Sequence, residues 1–495
     1  MIRAVPAIAG AACVFGFAPF YAWPVPLVAL AVLFATWERS ASPRNAAWAG
    51  FTFGLGYFLA GVSWVYVSLH DFGSMPAPLA ALATFLFCAF LALLPALAGW
   101  LARRFAARNA ASILLASAAA FTLCEWVRGW IFTGFPWIPI GSSQVPASPL
   151  AGYVPIVGVY GVTLIACVVA ALLAAAARTF EARGARWRVL AAAALIVVAG
   201  GALRWIDWGA PAAAPVRVAL LQGNVAQELK WREEVRTKTL VDYRQMIFDA
   251  KARVVVLPET ALPAFFDQIP EDYLASIREH ARAAGKDILV GIVERELRAG
   301  DYAYYNTLLR LTGTREAYRK RHLVPFGEFI PPGFRWVLAV LKIPLSDFAS
   351  GGRGQPPIEA GGMTFGVAIC YEDVFGEEVI DALPRAQALV NVSNDAWFGA
   401  SFAAEQHLHA SQARALETSR WMVRATNTGA TAAIDEKGYV VARLAPFTAG
   451  TLIADVTPRK GQTPYVLFGN LIAVLLAVAL GAIAWRIGRH RGEAR

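Results

Sequence analysis

Gly362-Met-Thr-Phe-Gly-Val-Ala-Ile-Cys370-Tyr-Glu372 reads as a short apolar strand running out onto a cysteine, with a carboxylate two residues further on. Two other stretches have a related form. Val254-Val-Val-Leu-Pro-Glu259 is an apolar strand ending in proline and an acid. Tyr318-Arg-Lys320-Arg-His-Leu-Val-Pro-Phe-Gly-Glu328 sets a lysine and a glutamate around an extended apolar centre. Around them, 216–222, 253–257, 287–293, 307–312, 363–369 and 388–392 read as strands, and 234–252 and 273–284 as helices. Strands alternating with helices predict an α/β domain with a largely buried sheet. In such domains reactive groups sit at strand ends and in the loops that follow.

Taken one at a time, these residues are ambiguous. A Pro-Glu after a strand is commonly a turn with a solvated acid. A lone lysine is commonly a surface charge, and a strand-end cysteine is commonly buried and inert. Cys370 is the only cysteine within 215–461, so it has no disulfide partner there. Residue chemistry alone supports Cys-dependent acyl transfer only as a candidate reaction.

The rest of the chain has a different character. The whole chain of 495 residues is 57% hydrophobic and 16% charged, with a mean hydropathy of +0.48. Soluble domains carry roughly a quarter charged residues. The deficit is uneven: 1–209 contains no lysine, whereas about 215–461 has ordinary soluble composition. A membrane part and one soluble domain follow. The net charge of +10 reads as arginine placed for topology. No zinc-ligand spacing, RNA-binding signature or basic helix points to a nucleic-acid partner.

Apolar runs at 5–20, 25–37, 46–67, 78–101, 110–132, 156–176, 189–203 and 466–485 predict eight spans. The first lacks a clear cleavage site and is read as an uncleaved helix rather than a signal peptide. Arginine clusters follow the second, fourth, sixth and eighth runs, while the alternate short loops 21–24, 70–76 and 133–155 carry neither Lys nor Arg. By the positive-inside rule both termini are cytoplasmic, and the soluble domain between the seventh and eighth spans faces outward. Cys13, Cys88, Cys124 and Cys167 lie in apolar runs as small core residues. Glu125 and Arg128, at i and i+3 in the fifth run, read as a structural ion pair flanked by Trp126, Trp130 and Trp137.

Glu259, Lys320 and Cys370, in that order and each at a strand end, resemble the catalytic triad of the nitrilase superfamily, an α-β-β-α sandwich. Within it, HLVPFGE (322–328), ICYE (369–372) and SNDAWFG (393–399) resemble the apolipoprotein N-acyltransferases. Gly16-Phe-Ala-Pro-Phe20, 63–73, 125–130 and Gly134-Phe-Pro-Trp137 extend the likeness into the apolar half. The resemblance implies an eight-span helical bundle (1–209 and 466–495) carrying a periplasmic α/β nitrilase-like domain (215–461) in a bacterial inner membrane. It implies Cys370 as nucleophile, Glu259 as general base and acid, and Lys320 as oxyanion stabiliser, with Glu328, Glu372 and Tyr371 in support. Trp231, Asn306, Asn394, Trp397 and Trp336 would contact substrate. The donor would be a phospholipid, typically phosphatidylethanolamine, and the acceptor the α-amine of a diacylated apolipoprotein; neither metal nor organic cofactor is implied.

Two other readings compete. A membrane-tethered nitrilase-type amidohydrolase would use the same triad on water, and a catalytically dead lipid-binding or scaffold protein would need no triad at all. His407 and His409 lack a matching third ligand and read as surface or packing residues rather than a metal site. The apolar stretch 330–345, bracketed by prolines and carrying Trp336, Leu338 and Leu341, reads as an interfacial helix acting as a lid beside Cys370.

Overall fold

The computed structural model describes residues 4–106, 109–178, 183–298, 300–331, 333 and 347–490. Trp336 and nearly all of the 330–345 stretch lie outside these described residues. The chain divides into two compact units. One comprises 1–66, 77–207 and 467–495, and the other comprises Val67–Pro76 and Trp208–Val466.

The first unit is helical. Its helices include Pro24–Arg39, Pro43–Val62, Ala77–Phe105, Ala110–Arg128, Val154–Arg178, Arg183–Leu203 and Leu471–His490. Local chemistry sets several starts. Ser42 accepts from the Asn45 N–H with Pro43 in the first turn, and Asn109 accepts from the Ser112 N–H; each satisfies an otherwise unpaired helix-end donor. Leu27, Leu30, Phe34 and Trp37 recur at helical spacing on one buried face, and the last two rings stack at 5.4 Å. Among the described residues, four helices are long and apolar enough to cross a membrane, or five if the pair Pro43–Val62 and Val65–Phe72, bent by 57°, is one span. The expected run at 5–20 is shorter as a helix, and the run at 466–485 is interrupted near its start, between Pro464–Phe468 and Leu471–His490. The first gives way to a 3-10 turn at Cys13–Gly16, and in the second Gly469 takes a positive φ of 54° at the break. The run at 25–37 forms a helix of 16 residues.

Glu125 and Arg128 are both buried, 3.6 Å apart. Glu125 accepts from the Ile140 N–H and the Thr163 hydroxyl. Arg128 donates to the Phe135 and Trp137 carbonyls. The pair fastens an irregular loop into the helices, a structural role.

In the second unit, strands Val216–Gln222, Val254–Val256 and Asp287–Arg298 run parallel. Gly450–Val456 flanks them on one edge, and Asp301–Arg310 and Ala317–Arg319 on the other, all antiparallel. A second six-stranded sheet has Met363–Ile369, Ala388–Ser393 and Met422–Thr426 parallel at its centre. Side chains alternate with the period of two that strands impose. Ala219, Leu221, Val255 and Leu257 face helices Glu233–Asp249 and Glu271–Ala284. Val218, Leu220, Val254 and Val256 face the other sheet, meeting Phe365, Ile369, Val390 and Val423. Leu389 and Met422, on that sheet's far side, pack on Leu408 and Ala415 of helix Ala403–Thr418. The layers are therefore helix, sheet, sheet, helix. At roughly 1.5–3 kcal/mol for each fully buried large aliphatic side chain, these layers are what the apolar strands supply to stability.

Candidate active site

All three strand-end residues leave their sheets close to one another. Cys370 follows Met363–Ile369 directly and begins a 3-10 turn, Cys370–Val374, with φ at +52°. A positive φ is uncommon for a residue with a side chain and is strained unless surrounding structure holds it. Lys320 follows the edge strand Ala317–Arg319, and its N–H donates to the Asn306 carbonyl. Glu259 lies three residues past Val254–Val256, on a loop whose approach to the next strand depends on Gly291. A Cβ on Gly291 would lie 2.2 Å from the Pro258 carbonyl oxygen and 2.7 Å from Glu259 Cα, closer than atoms tolerate.

The side chains form one charged array. Lys320 Nζ is 2.8 Å from Glu328 Oε1 and 3.7 Å from Glu259 Oε1, with Lys320 buried. Asn306 Nδ2 donates to both carboxylates, at 2.6 Å to Glu259 and 3.2 Å to Glu328. The other Glu259 oxygen accepts the Asn394 backbone N–H at 2.8 Å. Glu328 Oε2 accepts the Val324 N–H, so the turn carrying Glu328 closes on itself.

Burial alone would lower the Lys320 pKa, but the charges of Glu328 and Glu259 outweigh it and leave the ammonium more firmly protonated than usual. The Cys370 thiol shows the reverse balance. Desolvation and the nearby Glu259 charge push its pKa up, against the pull of Lys320. The site therefore sets a thiol that is harder to ionise than usual beside a firmly held cation.

Glu372, buried, fastens the Cys370 turn to the Lys320 strand end. One oxygen accepts the Ile369 N–H; the other accepts the Arg321 and His322 N–H groups and the Tyr318 hydroxyl. Burial raises its pKa to about 7, opposed by those backbone donors and by Lys320. Tyr371 is buried, edge-on to Phe375 at 5.1 Å. Asn394 also donates to Gln227 and accepts from Asn427.

The two tryptophans sit apart from this bonding. Trp231 is 40% exposed, next to Lys230. Trp397 meets Phe72 at 6.1 Å, and its carbonyl accepts from Ser68. Sequence reasoning passed over Lys230, whose buried Nζ donates to Thr260 and whose pKa burial lowers to about 8, opposed by Glu259. Its place in Gln222-Gly-Asn224…Lys230-Trp231, a short loop after an apolar strand, was the available signal. Of the two roles read for His407 and His409, surface or packing, packing is the one found: His407 is wholly buried, and His409 is 2% exposed. The helix carrying them packs under the Cys370 turn, where polar side chains bond to one another instead of to water.

A cysteine, a glutamate and a lysine are gathered from strand ends of two stacked sheets, within residues 217–465 that match the family described as carbon-nitrogen hydrolase. Residues 9–172 match the apolipoprotein N-acyltransferase N-terminal domain. The chain is 49% identical to an apolipoprotein N-acyltransferase of Nitrosomonas europaea, over 97% of each chain. It is 46% identical to one of Chromobacterium violaceum, over 98% of this chain and 94% of that one. A solved carbon-nitrogen hydrolase superfamily protein from Xanthomonas campestris is 19% identical with a TM-score of 0.36, covering 50% of this chain and 91% of the other. The chain belongs to the apolipoprotein N-acyltransferase family.

Proposed function

We propose that this chain moves a fatty acyl group from a phospholipid to the α-amine of the S-diacylglyceryl cysteine of an apolipoprotein, through a thioester on Cys370. The observation that carries the reading is Lys320 held between Glu259 and Glu328, beside a thiol whose pKa burial and Glu259 push up. A protonated thiol needs a base at the moment of attack, and Glu259 is that base. Cys370 Sγ attacks the ester carbonyl while Glu259 takes its proton. The oxyanion formed is stabilised by the Lys320 ammonium, with backbone N–H groups near Tyr371. Collapse breaks the ester C–O bond, and Glu259 returns the proton to the departing lysophospholipid. In the second half the amine attacks the thioester, Glu259 takes an amine proton, and the thiolate leaves and recovers it. Asn306 and the Asn394 N–H keep the Glu259 oxygens aimed, and Glu328 keeps Lys320 charged and placed.

Composition and arginine placement support a multi-pass protein of a bacterial inner membrane, with eight spans, both termini cytoplasmic, and 215–461 in the periplasm. Trp231 and Trp397 are proposed substrate contacts, and phosphatidylethanolamine the proposed donor. The test is transfer in detergent from phosphatidylethanolamine to a diacylated lipopeptide. Cys370→Ala and Cys370→Ser should be inserted and folded but inactive, the serine because its hydroxyl is far less acidic than a thiol. Substantial transfer by Cys370→Ala would sink the mechanism. Steady lysophospholipid release without acceptor would favour the hydrolase instead.

A further inference from the structure

Behind the Cys370 turn lies a wholly buried set of four charged side chains that the mechanism above does not use: Asp373, Asp395, His407 and Arg424, each with a fully enclosed side chain. They come from four different segments. Asp373 lies in the Cys370 turn, Asp395 in the turn after Ala388–Ser393, His407 in helix Ala403–Thr418 and Arg424 in strand Met422–Thr426.

Their contacts converge on the backbone of Cys370. His407 Nε2 is 2.8 Å from Asp373 Oδ1 and 3.1 Å from the Cys370 carbonyl oxygen. The same carbonyl accepts from Asn391 Nδ2 at 3.0 Å, and Asn391 Oδ1 accepts from Arg424. His407 Nδ1 is 3.0 Å from Asp395 Oδ1, and Arg424 Nη2 is 3.0 Å from both Asp395 oxygens. Arg424 also reaches Asp373 at 3.1 Å and Ser411, whose hydroxyl donates to Asp373. Gly429 lets Asp395 lie close, since a Cβ there would sit 2.3 Å from Asp395 Oδ2.

Two carboxylates face one guanidinium, so the enclosed set is neutral only if the imidazole is charged. An unbalanced buried charge is among the costliest arrangements in a protein. Each ring nitrogen also lies within hydrogen-bond distance of a carboxylate oxygen, so a ring carrying a hydrogen on both satisfies both acids. Arg424 Nη2 lies 2.6 Å from Nδ1, a like-charge contact offset by the Asp395 carboxylate both share. Burial and Arg424 lower the His407 pKa, but the two carboxylates overcome them and raise it above the ordinary value.

We propose that His407 is a positioning residue that works as an imidazolium: it clamps the strained Cys370 turn by its carbonyl and cancels the carboxylate charge lying beneath the nucleophile. Asp395 acts to raise the Cys370 pKa, so leaving it uncompensated would make the thiol harder to ionise. Asp373, Asp395 and Arg424 face His407 from the elements packed against it, while Glu259, Glu328 and Lys320 face Cys370 from the site side.

The inference rests on Cys370 being the nucleophile, but its test reads the thiol directly. Full-length protein in detergent is treated with iodoacetamide at a fixed, mildly alkaline pH, and alkylation of Cys370 is timed by peptide mass spectrometry. His407→Gln, which keeps a donor but not the charge, should alkylate about tenfold more slowly, one pKa unit being a tenfold change in thiolate. The phospholipid kcat should fall with it while KM stays put. His407→Gln combined with Asp395→Asn restores neutrality and should return the rate most of the way to wild type. Should His407→Gln not fold, Asp395→Asn alone gives the reading, since removing that anion should speed alkylation. An unchanged rate in His407→Gln, a double variant no faster than the single one, or Asp395→Asn no faster than wild type would each overturn the proposal. Loss of transfer in Cys370→Ala is a separate outcome, bearing only on the function.

Discussion

Lys320 Nζ lies 2.8 Å from Glu328 Oε1 and 3.7 Å from Glu259 Oε1, so this buried cation is held chiefly by Glu328 rather than by the proposed base. The division of labour follows from distance. Glu328 fixes the ammonium, so the proposed base Glu259 can change charge without releasing Lys320. Glu328→Gln keeps an acceptor but removes that hold. Formation of the acyl-enzyme should slow by about a hundredfold, the scale of losing one oxyanion donor. Rapid-quench measurement of lysophospholipid release checks this, and an undiminished rate would show that Glu328 is dispensable.

Gly291→Ala tests whether the Glu259 loop needs its close approach. The new methyl group would collide with Pro258 and the Glu259 backbone, so the carboxylate must move. A shift of about 1 Å at a reacting group costs on the order of a hundredfold in rate. Transfer should fall by that order while the protein still inserts and folds. Wild-type activity in Gly291→Ala would mean the loop has slack.

The strand ends carrying Glu259, Lys320 and Cys370 were legible because continuous apolar runs stop abruptly at polar residues. Strands were recovered with small shifts: 253–257 is Val254–Val256, and 287–293 extends to Asp287–Arg298 because its hairpin partner Asp301–Arg310 pairs along the whole length. Asn394 was named, yet what reaches Glu259 is its backbone N–H, which no side-chain identity reveals. The sequence left His407 open between surface and packing for a general reason. Gln406, His407, His409, Ser411 and Gln412 look like the wet face of a helix, yet all are buried. Polarity in a sequence implies solvent unless the partners, here Asp373, Asp395 and Arg424, can be seen.

Stability should depend on pH in two directions through this buried set. The folded pKa of Asp395 is depressed: burial works to raise it, but Arg424 and His407 prevail. Its contribution is therefore present above the ordinary value of 3.8 and lost as pH falls below that. The His407 pKa is raised, so its contribution is full below the ordinary 6.5 and is lost as pH climbs through the raised folded value. Thermal unfolding in detergent should show a plateau between these limits. Asp395→Asn should flatten the acid side, and an acid slope identical to wild type would contradict the assignment.

Topology can be checked without chemistry. A periplasm-active reporter fused after Gly461 should be active, and one fused after Arg495 inactive. The opposite pattern would overturn the orientation read from the arginines.

The central claim is that one thiol serves the donor and then the acceptor. Purified protein given phosphatidylethanolamine alone should release lysophospholipid in an amount close to that of the enzyme and then stop. Intact-mass and peptide analysis should find a single acyl chain on Cys370 as a thioester, discharged by adding diacylated lipopeptide. Product that appears only when both substrates are present, with no acyl group on Cys370, would contradict it.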